Sequence, residues 1–166
     1  MLDHLADRLE TILEKSGRIL SVLPLILVLV QFAIVLMVYV FATGSIKLQE
    51  SLQYINALMF LGAAGYTAIH DGHVRVDVFY SKFNRRRRAQ VNFWGTLLLL
   101  VPFLILMWVS AVPYVLDSWS ILEESVESSG LPFVYILKST LLLFTFTLSL
   151  HAIISLIRNR HALKRM

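Results

Sequence analysis

Four long apolar runs dominate the chain. They cover about 19–42, 48–69, 93–116 and 132–157, and apart from Glu50 and Lys138 the charged residues lie between and around them. A run of about 18 or more apolar residues is long enough to cross the hydrocarbon core of a bilayer as a helix. Within lipid, every backbone N–H and C=O must be satisfied inside the segment, so helices are the expected solution. The expectation is an all-α integral membrane protein: a single four-helix membrane domain over residues 1–166 with no internal linker. Only 16% of residues are charged and 57% are hydrophobic, a balance unlike that of a soluble domain of this length.

Ahead of the first run, Leu2, Leu5, Leu9, Ile12 and Leu13 recur at three- and four-residue steps. They form the apolar face of a helix whose other face carries Asp3, Asp7, Arg8, Glu10, Glu14 and Lys15. Two placements are open for this N-terminal amphipathic helix: flat in the membrane interface, or solvated. The first run is too long for the core of a cleaved signal peptide. The second is rich in small residues (Ala57, Gly62, Ala63, Ala64, Gly65), which let helix backbones approach closely in lipid. The third contains Pro102 and Pro113, both positions for a kink. Pro132, just after Gly130, suits the start of the fourth.

Basic residues are sharply divided. Arg8, Lys15 and Arg18 precede the first run; Arg75, Lys82 and Arg85–Arg88 lie between the second and third; Arg158, Arg160, Lys164 and Arg165 follow the fourth. The remaining loops hold only Lys47 among bases, whereas the third loop carries Asp117, Glu123, Glu124 and Glu127. Basic loops stay in the cytoplasm, so both termini and the second loop are expected inside. The four-arginine run is read as topology and contact with anionic lipid, not as a nucleic-acid site.

The runs offer little chemistry. Deep polar candidates are Gln31, Lys138 and His151, with no acidic residue near the middle of a run. A carrier that moves its own substrate usually places ionisable groups or broken helices at the midplane. Lys138 either snorkels to the surface or pairs with Glu123, Glu124 or Glu127. His70 and His151 raise a competing reading, a haem-bearing membrane anchor of a redox complex. The alternation in 73–78 suggests an extended element in which His73, Arg75 and Asp77 point one way as a structural clamp. Without cysteine, and with no nucleophile beside that clamp, no enzyme, cofactor or metal site is expected.

Several pieces together resemble the small, DctQ-like membrane subunit of TRAP transporters, the tripartite ATP-independent periplasmic family. They are Gln49-Glu50, the FLGAA run, DGHVRVDVFY at 71–80, DSW at 117–119, EES at 123–125 and GLPFVYILK at 130–138. The resemblance covers roughly 45–160; the first run carries no family signature. It implies a small accessory subunit of a sodium-coupled transporter in the bacterial inner membrane. Its partners would be a large membrane subunit that holds the substrate and ion sites, and a periplasmic binding protein that delivers an organic acid. The small subunit would enlarge the stationary scaffold and help dock the binding protein. The resemblance also implies that Glu50, His73, Arg75, Asp77, Glu124 and Lys138 are structural or interface positions.

Overall fold

The computed structural model describes residues 2–73 and 80–164, and the described residues form helices and connecting turns without a strand. In chain order the helices are α1 (Leu2–Leu20), α2 (Leu23–Tyr39), α3 (Ile46–Gly62), α4 (Ala64–Ile69), α5 (Arg85–Gly95), a π-helical turn (Thr96–Leu100), α6 (Val101–Ser120) and α7 (Val134–Lys164). Three continuous stretches are long and apolar enough to cross a membrane: Asp3–Tyr39, Arg85–Ser120 and Val134–Lys164. The expected second span corresponds to α3 and α4, separated at Ala63.

Local chemistry explains the boundaries. The Ser45 side chain accepts from Leu48 N–H and the Asn84 side chain from Arg87 N–H, each satisfying a free donor of a helix's first turn. Pro102 lacks an N–H, and its ring crowds the carbonyl four residues back. The chain responds with the π turn, in which Val101 N–H reaches Thr96 O, and Pro102 then sits in the first turn of α6. The fourth span begins at Val134, two residues beyond the Pro132 start expected from sequence.

α7 is the central helix. α3 and α4 run parallel to it, since Glu50 reaches Leu131 just before α7 whereas Gly65 lies against Thr147. α6 runs antiparallel, because Trp119 Nε1 donates to Ser139 Oγ (2.9 Å) and Trp108 Nε1 to Ser149 Oγ (3.2 Å). Ala64, Ala68, Leu104, Leu148 and Ala152 form one core cluster between these helices. A Cβ added at Gly65 would fall 2.6 Å from Thr147 O, so glycine sets the closeness of α4 and α7. The buried Thr145 and Thr147 hydroxyls donate to the carbonyls of Leu141 and Phe144 within α7, so neither is left unpaired in the core.

α1 also runs antiparallel to α7. Ala6 and Leu13 cluster with Leu150 and Ile154, with Leu9 against them. The apolar stripe of α1 is thus covered by the chain's own last helix. Leu5 and Ile12, at the margin of the stripe, remain exposed. The acidic face is matched to basic groups on α7 and α4. Arg158 engages Glu10 and lies 3.6 Å from Asp7; His161 Nδ1 meets Asp3 at 2.6 Å; His70 Nε2 meets Glu14 at 2.8 Å. α2 is the outlying element. Only Ile34 is buried there, while Leu25, Val28, Leu29 and Phe32 face outward.

Candidate functional site: a polar clamp between α3, the 121–133 loop and α7

The capped start of α3 places Glu50 over the loop joining α6 to α7. Its Oε2 accepts from Leu131 N–H at 2.6 Å, and its Oε1 accepts from the Ser125 hydroxyl. Ser125 Oγ in turn accepts from Glu127 N–H at 3.1 Å. Gly130 closes the turn by donating to Glu127 O at 2.8 Å. A Cβ at position 130 would lie 2.3 Å from Ser125 Oγ and 2.6 Å from Glu50 Oε1. The turn therefore needs glycine for a close approach.

A second interaction lies alongside. Lys138, one turn into α7, donates to Glu123 Oε2, and its Nζ stands 4.3 Å from the centroid of the Tyr114 ring. The Lys138 ammonium holds the Glu123 carboxyl below the ordinary carboxylate range. Glu123 also uses its backbone: its N–H donates to Ser118 O (3.0 Å) and its carbonyl accepts from Val134 N–H (3.1 Å). Leu122, at φ 47°, makes the left-handed step that brings the chain off α6 into this geometry. Trp119 and Tyr135 pack edge to face at 4.7 Å beside it. The loop is thus tied at Glu50, Ser118 and Lys138. These contacts fix the loop's position.

The six positions singled out from sequence separate. Glu50 and Lys138 meet at this loop, tied to different parts of it. Glu124 lies on the same loop with its side chain exposed. The carboxylate that pairs with Lys138 is Glu123, so of the two outcomes open for Lys138 the ion pair is realised. His73 belongs to the far end of the α3–α4 pair, where Nε2 donates to Ala64 O at 3.3 Å. Arg75 and Asp77, and with them the expected extended element, lie outside the described residues. Sequence reasoning missed Ser125 as a clamp residue and missed the α1–α7 ion pairs. A signal for the latter was present: Asp3, Asp7, Glu10 and Glu14 form an acidic stripe at steps of four, three and four, and the chain ends in a basic segment. His70, one of the two histidines behind the haem reading, has Nε2 on Glu14 and its ring edge on Tyr66, and nothing in this arrangement favours haem.

A helical bundle with apolar spans, small-residue packing and polar groups at its ends defines an integral membrane protein. Its family can be stated: residues 27–161 match the description "Tripartite ATP-independent periplasmic transporters, DctQ component", and the chain belongs to that family. The family supplies a small component of a transport system built with a large membrane subunit and a binding protein. Comparison with curated proteins and with solved structures gave no match.

Proposed function

We propose that this chain is the small accessory membrane subunit of a sodium-coupled, binding-protein-dependent transporter for organic acids. It resides in the bacterial inner membrane as four spans, α1–α2, α3–α4, α5–α6 and α7, with both termini cytoplasmic. The family match carries the reading. The basic residues around α1, α5 and the end of α7 support the orientation. It sets the 121–133 loop, held by Glu50 and by the Glu123–Lys138 pair, on the periplasmic side. That loop presents Glu124 and Glu127, both exposed, where a binding protein arrives. His73, held on Ala64 O, acts at the cytoplasmic end as a structural position. The outward apolar face of α2 meets lipid and the large subunit. The role is scaffolding, not catalysis: the polar side chains of the clamp are occupied with one another.

The test is sodium-driven organic-acid uptake into proteoliposomes containing the chain alone, the large subunit alone, or both with the binding protein. Uptake that requires the full assembly is expected. Uptake by this chain alone would overturn the accessory role.

A further inference from the structure

A cavity of about 640 Å³ lies at the end of the bundle opposite the clamp, between α4, α5, the π turn and α7, with α1 at its rim. We propose that it binds one phospholipid whose headgroup combines a phosphate with a primary ammonium, as in phosphatidylethanolamine. This rests on the membrane orientation above and not on the transporter assembly.

The cavity is two-natured. Its polar end is formed by Glu10, Asp71, Asn92, Arg158 and Asn159. Its other wall is Leu99, Leu100 and Phe103, of which Leu99 (73% exposed) and Phe103 (44%) continue onto the outer surface of the bundle. The change from one to the other falls where the sequence passes from apolar span to charged segment: Arg85–Arg88 open α5 on one side, and Arg158, Arg160 and Lys164 end α7 on the other. A bilayer changes from hydrocarbon to headgroup at that same boundary. A ligand with a polar head and an attached chain fits both halves. A small soluble anion would leave the apolar wall unused.

The charges select the headgroup. Arg158 is half-exposed and spends its two terminal nitrogens on Glu10, so its Nε–H is the donor left for a ligand; Asn92 uses its carbonyl for the Tyr80 hydroxyl and leaves its amide N–H groups. These donors suit a phosphate. The Glu10 carboxylate, engaged by Arg158, and the Asp71 carboxylate flank them and bring negative charge to this end of the cavity, which suits an ammonium. A purely anionic headgroup would meet the carboxylates unfavourably, and a quaternary ammonium would have no hydrogen to give.

Two local features keep the space open. The π turn shifts the register of the helix, a distortion often found at binding sites, and Thr96 within it is pinned to Ser155 Oγ at 3.0 Å. Gly95 lines the cavity, and a Cβ added there meets nothing within 4 Å. Position 95 therefore accepts a Cβ without a clash, and a larger side chain there is the means of testing whether the cavity is occupied.

The membrane-extracted protein would be delipidated and titrated with phosphatidylethanolamine, phosphatidylglycerol, phosphatidylcholine or glycerophosphoethanolamine, with adducts counted by native mass spectrometry. The expected result is one tightly held phosphatidylethanolamine, preferred about tenfold over phosphatidylglycerol, the worth of roughly one hydrogen bond to a charged group. Gly95→Leu and Gly95→Phe should both lose it while melting no lower than the parent. Gly44→Leu, at a loop glycine whose Cβ also meets nothing within 4 Å, should keep it. Equal or better retention of phosphatidylglycerol would overturn the headgroup assignment. Retention of the lipid by both folded Gly95 variants would overturn the site. Displacement by glycerophosphoethanolamine at the lipid's own concentration would mean a soluble phosphate ligand and overturn the lipid.

Discussion

Replacing Gly65 by alanine tests how α4 is held on α7. The new Cβ would fall 2.6 Å from Thr147 O and 2.8 Å from its carbonyl carbon, and both are backbone atoms that cannot rotate away. Relief requires the helices to part by about half an ångström at that level, which loosens the cluster of Ala64, Ala68, Leu148 and Ala152. Overpacking of this kind costs about 1–3 kcal/mol. Alanine also gains up to about 1 kcal/mol of helix propensity over glycine. Gly95→Ala receives the same propensity gain with open space around its Cβ, so the difference between the two variants isolates the packing cost. At roughly 2–4 °C per kcal/mol for a chain of this size, Gly65→Ala should melt about 2–12 °C below Gly95→Ala. Intrinsic fluorescence of the detergent-solubilised protein reads this, because Trp108 and Trp119 are hydrogen-bonded to α7. Indistinguishable midpoints for the two variants would refute close backbone approach as the reason for glycine at 65.

Three further outcomes follow from the contacts of α1 and the clamp. Leu13, 1% exposed, should cost about 2–5 kcal/mol as Leu13→Ala, whereas Arg158→Ala, which breaks exposed ion pairs, should cost no more than about 1 kcal/mol; hydrogen exchange of α1 measures both, and a larger effect at Arg158 would show that charge rather than apolar contact holds the helix. Because the native Glu123 pKa is lowered by Lys138, its contribution to stability is complete above the unfolded glutamate value and is lost as pH falls through the lower native value; thermal stability of the parent should therefore fall more steeply than that of Glu123→Gln below about pH 4.3, and parallel curves would contradict the pairing. Gly130→Ala drives a methyl into Ser125 and Glu50 and should open the 121–133 loop to protease, while Ser128→Ala on the same loop should not; equal protection of both would mean the turn tolerates a side chain.

The apolar runs and the placement of basic residues around them follow from solvent physics acting on each segment separately, and these were readable directly. So were the small-residue run of α3–α4, which packs as expected, and the motifs that mark the family. The capping residues Ser45 and Asn84 were not singled out, and the Pro132 start expected for the fourth span lies two residues before the start of α7 at Val134. Choices between chemically equivalent partners were a different matter. Glu123, Glu124 and Glu127 are alike to any local rule, yet Lys138 takes Glu123, because the left-handed step at Leu122 and the backbone bonds to Ser118 and Val134 fix that one carboxylate beside α7. The fate of α1 was equally nonlocal. An amphipathic helix states only that one face must be covered; that α7 covers it, with Arg158 and His161 opposite the acidic stripe, depends on two segments some 150 residues apart meeting in antiparallel register. Sequence by itself determined what each segment must bury, and tertiary structure decided against what, since burial is demanded residue by residue but partners are supplied only by the packed bundle.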